Sequence, residues 1–93
     1  MAQYTIAQAL REMLRDSNWR QRYLQSRIKL DYEQIMGITV AKYTQEVKLV
    51  DNKLVIRTNV GPLKQELTNM RDTIRERFNE HLQETIIKEV III

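Results

Sequence analysis

The sequence predicts an α+β fold: two N-terminal helices, an antiparallel β-hairpin, a long helix and a closing strand. Three observations predict it. Apolar residues recur at helical spacing up to Met36, the period drops to two between Gln45 and Thr58, and an isoleucine-rich segment follows a final helical stripe. The order α-α-β-β-α-β places helices on one face of a three-stranded sheet, a two-layer sandwich similar to KH-like folds.

Gln3–Arg15 carries Ile6, Leu10, Met13 and Leu14 on one narrow stripe. Asp16-Ser17-Asn18 interrupts it and offers N-caps for a second helix from Trp19 toward Met36. Leu24, Ile28, Tyr32 and Ile35 form the inner face of that helix, and Gly37 is placed for a left-handed C′ position. The N-terminal helices thus occupy 3–36, and Ile38–Tyr43 is compatible with one more helical turn. In the hairpin, 45–58, Val47, Leu49, Leu54 and Ile56 point to the core around an Asp51-Asn52 turn. A single helix over 60–82 follows, with Thr58 or Asn59 as its cap, Pro62 in its first turn, and a stripe of Leu63, Leu67, Met70, Ile74 and Phe78. The last strand, 85–92, is apolar on both faces except at Lys88 and Glu89. Such a strand is expected at the centre of the sheet or covered by a partner chain.

Ninety-three residues are expected to make one domain, 1–93. The chain has no cysteine, which removes disulfides and thiolate zinc sites and fits a reducing compartment. Its longest apolar run, Val90–Ile93, is far below the ~20 residues that span a bilayer. No signal peptide is visible. A soluble cytoplasmic protein is the expectation, with no membrane partner.

Enzymatic chemistry finds no support in the residues. The two glycines are too few for a phosphate-binding loop, and the lone histidine, His81, reads as a surface residue near a helix C-terminus. No catalytic residue, cofactor or metal ligand is assigned. Binding is better founded. Residues 1–30 hold six cations against Glu12 and Asp16, a net charge of +4, while the remainder has nine basic and ten acidic residues. The candidate binding residues are Arg11, Arg15, Trp19, Arg20, Arg22, Tyr23, Arg27 and Lys29. Interleaved aromatics and cations suit either a phosphodiester backbone or a protein hot spot. A solvated helix surface, with Trp19 packed over the helix junction, is the bland alternative. The strands contain no aromatic residue on which bases would stack, and neither glycine begins the Gly-x-x-Gly loop of a KH clamp.

The segment Asp31-Tyr-Glu-Gln-Ile-Met-Gly37, followed by Ile38-Thr-Val-Ala-Lys-Tyr-Thr44, resembles the signature of the DciA-like family of small bacterial proteins. Leu67, Asn79 and the final apolar strand extend the resemblance over roughly residues 27–92. Tyr32 stands where the family usually has Trp, and the extended basic tail of some members is lacking. The resemblance implies a non-enzymatic protein of DNA replication that associates with the replicative helicase and helps to place it on DNA. DNA is then the expected nucleic acid and RNA the lesser one. Two other readings are a self-associating module, a homodimer through the C-terminal strand, and a KH-like RNA-binding domain.

Overall fold

A computed structural model describes residues 5–93. Eight elements follow in order: α1 (Ile6–Leu14), α2 (Ser17–Met36), α3 (Ile38–Lys42), β1 (Glu46–Val50), β2 (Lys53–Arg57), α4 (Gly61–Asn69), α5 (Arg71–Leu82) and β3 (Glu89–Ile92). The predicted N-terminal helix residues Gln3 and Tyr4 lie outside the described residues.

Thr5 opens α1 with a capping box: its hydroxyl accepts from the Gln8 amide at 3.1 Å, and the Gln8 side chain accepts from the Thr5 amide at 2.9 Å. Asp16 caps α2 through the Asn18 amide, 2.8 Å away. Gly37 has the expected positive φ, 93°, but its ψ of 156° is extended rather than left-handed helical. That conformation is essentially reserved for glycine. It ends α2 and restarts the chain as α3, whose β-branched Ile38, Thr39 and Val40 do not prevent the turn.

The sheet has the order β1-β2-β3. β1 and β2 pair antiparallel, with Val47 opposite Ile56 and Leu49 opposite Leu54. Of the two turn residues only Asp51 takes a positive φ, 56°. β3 runs parallel to β2, Leu54 opposite Val90, so the chain must cross over through α4 and α5 to reach it. This corrects the expectation of a central C-terminal strand: β2 is central and β3 is an edge. The strand is also shorter than 85–92, because Asn79 captures the backbone of its first residues instead. The Asn79 side chain accepts from Ile87 N (2.8 Å) and Ile86 N (3.2 Å) and donates to Ile87 O (2.9 Å).

The predicted single helix over 60–82 is two helices that meet at Met70, whose φ of −105° and ψ of 15° leave the helical basin. Neither Gly nor Pro stands there. The Thr68 hydroxyl donates to Lys64 O at 2.7 Å, and Arg71 Nε donates to Thr68 O at 3.0 Å, so side chains occupy carbonyls near the end of α4. The bend turns Leu67 and the Ile74–Phe78 pair onto the same sheet face. Nor do Thr58 and Asn59 cap α4: Val60 is its N-cap, with no side-chain cap bond. Thr58 is buried instead, donating to Tyr43 O at 2.7 Å and accepting from Val60 N at 3.2 Å. Pro62 does sit in the first turn.

All helices that cover the sheet pack on one face. Ile28, Leu54, Ile56, Ile74, Phe78 and Ile87 are fully buried there. The opposite face shows Lys48, Val55 and Ile91 in one cross-strand row and is not covered. The fold is therefore mixed α and β in two layers, as predicted.

Candidate partner-binding surface

The geometry of α2 decides what its side chains can do. A helix of twenty residues shows three sides here. Leu24, Ile28 and Tyr32 face the core. Tyr32 is buried, its hydroxyl within 2.9 Å of Thr44 Oγ1 and its ring 6.1 Å from that of Phe78. Burial raises its pKa above the usual tyrosine range, opposed by the Thr44 bond. On the β1 side, Gln21 donates to Leu49 O at 2.8 Å, and Gln25 donates to Val47 O and accepts from Leu49 N.

On the side toward α5, α2 is tied by ion pairs. Arg20 Nη2 lies 3.1 and 3.2 Å from the two carboxylate oxygens of Glu84. Arg27 Nε donates to Asp31 Oδ2 at 3.1 Å, and the same oxygen lies 2.9 Å from His81 Nε2. Arg27 Nη1 donates to the Tyr23 hydroxyl at 3.3 Å. The His81 bond, then Arg27, hold the Asp31 carboxyl below its ordinary range, while the Tyr23 and Asp31 bonds raise the Arg27 guanidinium. His81 is thus no free surface residue: it joins α5 to α2 and is half-buried. Among the described residues no group of three His, Cys, Asp or Glu side chains is arranged to hold a metal ion.

The third side of α2 carries Trp19, Tyr23, Ser26 and Leu30, and α1 lies against part of it. Leu10, Met13 and Leu14 of α1 meet Trp19, Tyr23 and Ser26 across an open cleft of about 280 Å³. The Arg22 guanidinium lies 5.6 Å from the centre of the Trp19 ring, close enough for a cation–π contact.

The eight predicted residues therefore do not form one patch. Arg20 and Arg27 are engaged with carboxylates on the α5 side, and Arg15 lies 3.4 Å from Glu12. Arg11, Arg22 and Lys29 form no ion pair among the described residues and are exposed. Trp19 is exposed beside Arg22, and Tyr23 is half-buried behind it. What the residue types alone missed is the apolar wall supplied by Leu10, Met13 and Leu14. The signal was there: α2 carries Trp19, Tyr23 and Leu30 on a second stripe beside its Leu24–Ile28–Tyr32 core face, of which only Tyr23 also packs against the core.

Four residues of the Asp31–Thr44 signature have clear structural tasks. Asp31 anchors His81, Tyr32 fills the core, Gly37 turns the chain, and Thr44 meets Tyr32. The family described as Dna[CI] antecedent, DciA, matches residues 5–92. The chain belongs to the DciA family. No curated protein and no solved structure matches it. DciA-family proteins belong to bacterial DNA replication, where their general role is helicase-associated loading and not catalysis. In this DciA-family chain, no helix among the described residues is long and apolar enough to cross a membrane.

Proposed function

We propose that this chain is a non-enzymatic, cytoplasmic accessory of the bacterial replicative helicase, a single domain that binds both the helicase and DNA through the outer side of its first two helices. The observation that carries the reading is the set left unpaired there. Among the described residues Arg11, Arg22 and Lys29 form no ion pair, and Arg22 lies over exposed Trp19, whereas Arg20 and Arg27 are paired with Glu84 and Asp31 and Arg15 with Glu12 on the surface of α1. Phosphates, whose neutralisation releases counterions, are suited to the free cations and not to the paired ones.

The test is a salt titration of single-stranded DNA binding, alongside sedimentation with the purified helicase. Replacing Arg11, Arg22 and Lys29 together by Ala is expected to flatten the log K against log salt slope by about 2, given ~0.7 per phosphate contact on single strands. Arg20→Ala is expected to leave it unchanged. An unaltered slope in the triple variant places DNA elsewhere, and failure to sediment with the helicase removes the partner. A second reading, a homodimer through β3, is favoured by its place at the sheet edge and is read from the same sedimentation run without helicase.

A further inference from the structure

The cleft between α1 and α2 is built unlike the rest of the surface. α1 buries none of its own residues, yet Leu10 and Met13 stand 38% and 42% exposed on its stripe and Ile6 89%. Across from them Trp19 is 47% exposed. Leu30, 79% exposed, continues the Trp19–Tyr23–Ser26 side by helical periodicity. Two neighbouring helices thus each present an apolar stripe that the other covers only in part. Arg22 lines the cleft, and Arg11 and Lys29 are exposed elsewhere on the same two helices, forming no ion pair among the described residues.

We infer that this cleft is the docking groove for an acidic amphipathic helix of the protein partner, whose leucine-like face fills the space between α1 and α2 and whose carboxylates meet Arg22 at the cleft and compete with DNA for the neighbouring Arg11 and Lys29. An incoming helix offers i, i+3, i+4 anchors at the spacing of the two stripes. Its charge follows from Arg22 in the cleft and from the net charge of +4 over residues 1–30, which would repel a basic helix. A second copy of this chain is the poorer occupant, because its own α1–α2 surface is cationic and like charges would oppose at a two-fold interface. The inference rests on the proposed helicase association and names the chemistry by which that partner is held.

Trp19 is the only tryptophan in the chain and reports directly on the groove. The probe is a lactam-stapled helical peptide with leucine at every third and fourth position and glutamate between, titrated against the full chain while Trp19 emission is followed. The expected result is a saturable blue shift with a dissociation constant in the micromolar range. Affinity should fall at least tenfold with the lysine version of the peptide, and at least tenfold in a Leu10→Asn, Met13→Gln variant whose circular dichroism matches the parent. Three results would overturn the inference: no shift at millimolar peptide, an equal response to the lysine peptide, or a shift produced by protein concentration alone, which assigns the groove to a second copy. No helicase is present in the titration. Loss of helicase sedimentation therefore speaks against the proposed function alone, and loss of the peptide response against the groove alone.

Discussion

Two regions of this molecule treat apolar side chains in opposite ways. Around α5 and the sheet, Ile74 and Phe78 are fully buried, and Asn79 satisfies three backbone groups of the segment that leads into β3. In α1, whose apolar stripe is the more pronounced of the two, no residue is buried. The difference shows that a hydrophobic stripe is only a request for a partner. In α5 the sheet answers it within the chain. In α1 it is covered only in part, by Trp19 and Tyr23 of α2, so that most of the domain's stability rests on residues other than those of its outer surface. A short helix supported by a capping box and one neighbour is at the low end of local stability.

The contrast can be broken most sharply by truncating one side chain on each side of it. Phe78→Ala is expected to cost about 3–5 kcal/mol in denaturant unfolding, as for large aromatic deletions in sealed cores. Leu10→Ala is expected to change stability by less than about 0.5 kcal/mol. Equal losses would mean that α1 is part of the core after all. Next comes Asn79→Ala, which deletes no core volume but strips bonds from Ile86 and Ile87; a loss of roughly 2 kcal/mol is expected, with β3 amides exchanging faster than those of β1. A smaller effect than that of Asn79 concerns Asp31. Its depressed carboxyl means that its contribution is complete above about pH 4, the unfolded value, and fades as pH falls through the lower folded value. Between pH 5 and pH 3 the melting temperature of the native chain should therefore drop more than that of Asp31→Asn, by an amount equivalent to less than about 1 kcal/mol. Parallel curves would show that the Arg27–Asp31–His81 contact adds nothing.

Much of the architecture was legible because it depends on periodicity. The alternation of Val47, Leu49, Leu54 and Ile56 and the spacing of Leu24, Ile28 and Tyr32 are local signals of burial, and the structure buries all seven. What periodicity does not encode is side-chain competition for the backbone. At the Met70 break Thr68 and Arg71 take carbonyls of α4, and where β3 starts late Asn79, eight residues upstream of Ile87, holds the backbone instead. The parallel direction of β3 is a matter of crossover, which a short apolar run does not state. On the binding side, charge type was visible but partnership was not. Glu84 lies sixty-four residues from Arg20, and His81 fifty from Asp31. Only the folded chain shows which arginines remain free.

The glutamines of α2 have an effect beyond holding a helix to a strand. By bonding Val47 O, Leu49 O and Leu49 N, Gln21 and Gln25 close the outer rim of the hairpin to any foreign strand. Only the β3 margin is left for strand addition. A sheet that can be extended on one side is able to pair once and must then stop, whereas one open at both ends can grow into a fibre. Any pairing of copies through the sheet edge would thus stop at two.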